Sequence, residues 1–169
     1  MATCPSTRPA SAAKALALKV AIALDSPGVL AVELFLTPKG DLLVNECAPR
    51  AHNSGHHTIE ACASSQFDQL LRVYMGWPLG DTTLRGLAAM INLVGADGSG
   101  APMLKGADDI LHLPDTYIHL YGKVETRTGR KMGHVTVLAK DQIALDQAIA
   151  VTKVHGRVVP LNAGEPFNA

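Results

Sequence analysis

The sequence predicts an α+β fold, in which an antiparallel sheet with helices is followed by a smaller β-rich part. Three patterns carry that expectation. Two β-rich runs flank the turn-forming TPKGD at 37–41, two more flank ETRTGR at 125–130, and apolar residues recur at helical spacing over 59–75 and 141–155. With 169 residues and 47% hydrophobic content, the chain can bury a sizeable core as one domain or two small ones. It shows no internal repeat and no low-complexity tract.

The first 24 residues permit two readings. They hold Arg8, Lys14 and Lys19, several Ser and Ala, and no acidic residue, the composition of a plastid or mitochondrial transit peptide. Residues 10–24 also read as an amphipathic helix leading into a strand that follows Gly28, and the helix is the preferred reading. Cytoplasmic and plastid locations both stay open.

Residues 29–36 and 42–48 form the first expected hairpin. A turn centred between Lys39 and Gly40 places Glu33 directly opposite Glu46, with Cβ atoms about 4.5–5.5 Å apart. Two carboxylates that close repel unless a cation lies between them, and a hard divalent ion such as Mg²⁺ takes oxygen ligands. The alternative is an edge hairpin with two solvated glutamates.

Arg50, His52, Asn53, Ser54, His56 and His57 then fall within eight residues. Arginine offers a planar fork of donors to carboxylate or phosphate, and histidine holds or moves a proton near neutral pH, so the loop suits an anionic substrate. It leads into a helix expected over 59–75, with Ile59, Ala63, Phe67, Leu70, Leu71 and Tyr74 on one face and Gly76 and Pro78 ending it. The amides and dipole of that helix's N-terminus favour negative charge. A rival reading, zinc on His52, His56 and His57, lacks an accompanying Cys pair or HExxH helix.

Residues 76–86 read as a connection rich in Gly, Pro and Asp, and 87–94 as a strand followed by a loop containing Gly95, Gly98, Gly100 and Pro102. The second expected hairpin pairs 117–124 with 131–139 and clusters Lys123, Arg127, Arg130 and Lys131, a plausible phosphate site. Its alternative is an edge hairpin protected by charge. A last helix is expected over 141–155, with Asp141 as N-cap and Ile143, Leu145, Ala148, Ile149 and Thr152 on its apolar face. Cys4, Cys47 and Cys62 form no CxxC pair, their odd count suits reduced thiols, and Cys62 is expected as a buried small apolar residue on the 59–75 helix. Zero formal net charge gives no support to a nucleic-acid partner or a charged membrane surface. No apolar run approaches the roughly 18 residues of a membrane span.

The segment GVLAVELFLTPKGDLLVNECAPRAHNSGHHTIEACASSQFDQLLR resembles the ATP-grasp part of the 5-(carboxyamino)imidazole ribonucleotide synthetase family, the ATPase component of phosphoribosylaminoimidazole carboxylase. WPLGDT at 77–82, MINLVG at 90–95 and HLYGKVETRTGRKMGH at 119–134 extend the resemblance over most of the chain from Gly28 to about Leu138. It implies the C-terminal part of an ATP-grasp domain over 1–80 and a small β-rich C-terminal domain over 81–169. It further implies a ligase of de novo purine biosynthesis, in which ATP phosphorylates bicarbonate and the CO₂ unit passes to the amine of 5-aminoimidazole ribonucleotide.

By motif, Glu33 and Glu46 resemble Mg²⁺ ligands, and Asn45 and Glu46 resemble groups at the ATP phosphates. Arg50 and His52 resemble the catalytic pair, with Asn53 and Ser54 beside them as substrate-binding residues. Lys123, Arg130 and Lys131 resemble the cradle of the ribonucleotide 5′-phosphate. The resemblance also implies a homodimer for the full-length enzyme, and partnership with a missing N-terminal half or a carboxylase/mutase domain. Nothing in the sequence matches the family's preceding nucleotide-fold domain or lid. Two functions of different class therefore follow: the catalytic C-terminal portion of the ligase, or a non-catalytic remnant that binds metal, ribonucleotide phosphate or an assembly partner.

Overall fold

The structure, a computed structural model, describes residues 7–161, so Cys4 and the start of the N-terminal stretch lie outside the described residues. Helices and antiparallel sheets make up an α+β chain. Its described residues form two compact units: those up to Gly55 together with Ser64–Thr82, and His56–Ala63 together with those from Thr83 onward.

The first unit opens with α1 (Thr7–Leu24), the helix preferred from sequence. The hairpin of β1 (Ala31–Leu36) and β2 (Leu42–Ala48) follows, closed by a turn in which the Gly40 amide donates to the Thr37 carbonyl. The helix expected over 59–75 is interrupted. It divides into α2 (Thr58–Ala61), which belongs to the second unit, and α3 (Gln66–Tyr74). Ser65 and Asp68 make a reciprocal capping box that starts α3 afresh, and the Ser65 bonds hold the Asp68 carboxyl below its ordinary range. Cys62 is buried as expected, but in extended conformation at the end of α2 rather than within a helix.

Among the described residues of the first unit Ser65 is the one buried residue. Phe35, Leu43, Leu71, Tyr74, Trp77 and Leu79 are all exposed there. Apolar area on this scale is characteristic of surfaces that other protein covers.

The second unit holds the core. β3 (Leu87–Val94), β6 (Lys131–Ala139) and β5 (Thr116–Leu120) form an antiparallel sheet with β6 in the centre. β4 (Pro102–Lys105) pairs with β7 (Arg157–Pro160), two strands too short to read from periodicity, and α4 (Ala107–Leu111) lies between β4 and β5. Leu93, Ile110, Val135, Val137, Leu145, Ala148 and Val158 pack together. α5 (Gln142–His155) has the expected N-cap, Asp141, whose carboxylate accepts from the Ala144 amide at 2.8 Å. Leu145, Ala148 and Thr152 of its expected apolar face are buried, whereas Ile143, in the first turn, is exposed. The expected strand 117–124 ends at Leu120, because Gly122 takes a left-handed φ of 64° and leads the chain out of the ladder.

Candidate functional site

The first hairpin brings two carboxylates together through a bulge. Next to the turn the pairing is Leu36 with Leu42, one residue out of the expected register, but a shift after Glu33 restores it and sets Glu33 opposite Glu46. Asn45 is the extra residue of β2. Bulges of this kind re-aim a side chain beside a functional site. Here the Asn45 amide donates to Glu33 Oε2 at 3.3 Å, so three polar groups of two strands meet on one side.

The following loop is pinned by α3. The Gln66 side chain accepts from the His52 amide and donates to the His52 carbonyl, both at 2.9 Å, which fixes the His52 peptide as a sheet partner would. The ring is mostly buried, with 14% of the side chain exposed, and its Nε2 lies 3.4 Å from Glu33 Oε1. Nδ1 accepts from the Ser54 amide at 3.3 Å and lies 2.8 Å from the Ser54 hydroxyl. An amide can only donate, so the neutral ring carries its proton on Nε2 and presents a donor to Glu33.

Ligand atoms of Glu33, Glu46 and His52 lie within 4.8 Å of one another, the one such grouping of metal-ligating residue types found among the described residues. The two carboxylates suit a hard cation. His52 in this tautomer is a donor rather than a ligand. The expected alternative of zinc on His52, His56 and His57 is not among such groupings. Arg50 is exposed, with one guanidinium N–H on the Ala51 carbonyl, and Asn53 begins a 3-10 turn, Asn53–Gly55. α2 has only four residues, so the strong helix N-terminus expected beside this loop is not formed.

In the second unit, the Lys123 amine donates to the Lys131 carbonyl, and an Arg130 guanidinium N–H donates to the Glu125 carbonyl at 2.8 Å. The Arg130 amide closes the turn onto Arg127. Lys123, Arg127, Arg130 and Lys131 thus lie along the stretch from the end of β5 to the start of β6, with the Lys123 and Arg130 side chains tied to backbone. Lys123 also lies over the Tyr121 ring, 5.5 Å from its centroid. Burial pushes the Tyr121 hydroxyl above its ordinary pKa.

Sequence reasoning missed Gln66, Tyr121 and His134. The SSQFD capping box marks the start of α3 and so brings attention to Gln66, but nothing local shows that its side chain reaches back fourteen residues. Tyr121 and His134 meet only through the pairing of β5 with β6.

Residues 2–67 match the ATP-grasp domain family, and residues 88–148 match the phosphoribosylaminoimidazole carboxylase C-terminal domain family. The N5-carboxyaminoimidazole ribonucleotide synthase of Mycobacterium bovis is 48% identical over 138 residues, covering 78% of this chain and 31% of the relative. The crystal structure of N5-carboxyaminoimidazole ribonucleotide synthetase from Thermotoga maritima matches with a TM-score of 0.87 and 44% identity, over 93% of this chain and 44% of that one.

The chain belongs to the N5-carboxyaminoimidazole ribonucleotide synthase family. It spans about a third of the length of the curated relatives it matches. A further synthase of the family, from Aspergillus clavatus, crystallised in complex with ADP and 5-aminoimidazole ribonucleotide, matches with a TM-score of 0.80 and 35% identity over 90% of this chain and 42% of that one. The glutamate hairpin lies in the stretch matched to the ATP-grasp domain, and the Lys123 hairpin in the stretch matched to the synthase family's C-terminal domain. No described helix is long and apolar enough to cross a membrane.

Proposed function

We propose that this chain supplies the C-terminal portion of an ATP-dependent ligase that carboxylates 5-aminoimidazole ribonucleotide with bicarbonate in de novo purine biosynthesis. The observation that carries this reading is the convergence of Glu33, Asn45, Glu46 and His52, one donor-rich cluster facing paired carboxylates. It is supported by the Aspergillus clavatus relative, whose structure holds ADP and the same ribonucleotide. Residues 1–80 then form the end of an ATP-grasp domain and 81–169 the small C-terminal domain. The setting is cytoplasmic or plastid, and the full-length enzyme is a homodimer.

Glu33 and Glu46 fit Mg²⁺, because paired carboxylate oxygens are the donors that ion takes while leaving positions for phosphate. When bound, Mg²⁺ neutralises charge on the nucleotide phosphates. Asn45 presents its amide beside Glu33 and the ATP phosphates. A bicarbonate oxygen attacks the γ-phosphorus and ADP departs; the resulting carboxyphosphate releases CO₂ and phosphate, and the ribonucleotide amine attacks the CO₂ carbon, forming the N–C bond and passing its proton to the released phosphate. In that sequence Arg50 offers its guanidinium to the carboxylate or phosphate oxygens, and His52 holds a proton on Nε2 at the same place. Asn53 and Ser54 shape the substrate side of the loop, and Ser54 sets the His52 tautomer. Lys123, Arg130 and Lys131 receive the 5′-phosphate.

The exposed apolar faces of the first unit support a need for further protein, an N-terminal half of the ligase, before turnover occurs. The test is ADP release that depends on both bicarbonate and 5-aminoimidazole ribonucleotide, measured on the chain alone and after mixing with an N-terminal half from a relative. Recovery on mixing supports the ligase; no recovery in either case leaves the non-catalytic binding reading and refutes the catalytic one. In the mixture, Glu46→Gln should abolish turnover, whereas Lys123→Ala should chiefly raise KM for the ribonucleotide.

A further inference from the structure

The β3-β6-β5 sheet carries a polar column that the reaction above leaves unused. β6 lies between its two neighbours in a register that sets His134 directly across from Asn92 on β3 and from His119 on β5. Directly opposed residues of adjacent strands share a face. His134 is 2% exposed, and its ring stacks on His119 at 4.5 Å between centroids and on His56 at 5.0 Å. His119 Nε2 in turn meets Glu60 Oε1 at 2.7 Å. Gly133 makes the close stacking possible, since a Cβ there meets the His119 carbonyl oxygen at 2.2 Å.

A hydrogen bond from this column leads toward Lys123. His134 Nδ1 lies 3.0 Å from the Tyr121 hydroxyl, and the Tyr121 ring carries the Lys123 amine. A cation rests on a ring face through the ring's quadrupole, so the orientation of that face, together with the Lys131 carbonyl that accepts from the amine, sets where the amine sits. In the tautomer with the His134 proton on Nε2, Nδ1 accepts from the Tyr121 hydroxyl. Nε2 and the Oδ1 of Asn92 are both buried without a hydrogen-bond partner among the described residues, a donor and an acceptor on directly opposed strands. A second proton on His134 would occupy Nδ1, reverse this bond so that the hydroxyl must turn and accept, and set a cation beside the ring that carries the Lys123 amine.

We propose that His134 is a positioning residue for Lys123: through the Tyr121 hydroxyl it orients the ring on which the amine rests, in a geometry set by Nδ1 accepting from that hydroxyl. The seat stands on geometry alone; its use for substrate rests on the reading of Lys123 as a group that receives the ribonucleotide phosphate. The titratable and charged groups facing the column are His119 and Tyr121 from β5 and the residue beyond it, His56 from the segment before α2, Glu60 from α2, and Lys123. β3 contributes the uncharged Asn92. Burial first, and then the neighbouring His119 and His56, hold His134 protonation down to about 4, so the seat is intact at neutral pH.

The test follows the side-chain resonances of Lys123 by nuclear magnetic resonance on the full 169-residue chain. The Tyr121 ring current should displace the Lys123 Cε–Hε signals at pH 7.5, and the displacement should change on acidification along the same curve as the His134 ring signals. His134→Phe keeps a stacked ring but no acceptor, and Tyr121→Phe keeps the ring face but no hydroxyl. Each should reduce the displacement at pH 7.5, and the double substitution should add nothing to either single one. A Lys123 signal that ignores both the His134 titration and Tyr121→Phe overturns the proposal; the titration arm needs no variant to fold. Inorganic phosphate provides a separate arm. Where the parent chain binds it, His134→Phe should weaken binding about tenfold at pH 7.5, and unchanged affinity overturns the link from seat to ligand. No phosphate binding by the parent chain counts against the phosphate reading of Lys123, while the resonances still decide the seat.

Discussion

Acid should destabilise the second unit through His134 in a pH window set by burial. The ordinary imidazole pKa of 6.5 falls to about 4 in the folded chain, first because the ring is buried and then because His119 and His56 stack on it. The sign follows from proton counting. Between those two values the unfolded chain binds a proton at this residue and the folded chain does not, so stability falls as the pH is lowered from about 6.5 and the loss is complete below about 4. At about 1.4 kcal/mol per pH unit the gap corresponds to on the order of 3 kcal/mol, a large share of the roughly 5–15 kcal/mol that holds a domain together. Asp68, whose carboxyl is depressed by its Ser65 hydrogen bonds, loses its contribution only below its ordinary 3.8, so the two windows are distinct. Urea unfolding followed at β6 amides, at pH 7.5 and at pH 4, measures the effect. His134→Phe removes the titrating group, and its stability should change with pH by about 3 kcal/mol less than that of the parent. Equal pH dependence in the two chains would refute the reasoning, because the acid sensitivity would then come from other groups.

Three further outcomes follow from the geometry. Glu33→Gln leaves a single carboxylate in the hairpin, so Mn²⁺ or Mg²⁺ affinity measured by calorimetry on the chain should fall at least tenfold; unchanged affinity would place the metal elsewhere. Gln66→Ala deletes both bonds to the His52 peptide and should raise hydrogen exchange at the His52 amide by an amount corresponding to about 1–2 kcal/mol, with β6 amides unaffected. Gly133→Ala forces a methyl against the His119 carbonyl and should cost about 1–3 kcal/mol in urea unfolding, with loss of the ring-current shifts between His119 and His134.

Much of the fold is legible in local pattern because those elements are driven by local chemistry. The strand Leu87–Val94, the helix Gln142–His155 with its Asp141 cap, and both hairpins appear where β-branched runs, turn residues and helical spacing place them. The break between α2 and α3 was also written locally, in the SSQFD capping box, but the apolar spacing of 59–75 runs across it. The turn lies one residue from where the sequence places it, and the bulge at Asn45 makes up the difference, so Glu33 still meets Glu46.

The residue types of the candidate site, two glutamates flanking a turn and an arginine–histidine loop after it, are determined by the sequence itself, since hairpin register is a short-range property. The motifs of that loop and of the Lys123 hairpin also carried the family. Only the tertiary structure decided that Gln66 clamps His52, that β4 finds β7, and that His134 joins His56, His119 and Tyr121 in one buried column. Each of these joins segments far apart along the chain. Their partners are selected by strand pairing and by satisfaction of buried polar groups, which no local window of sequence contains.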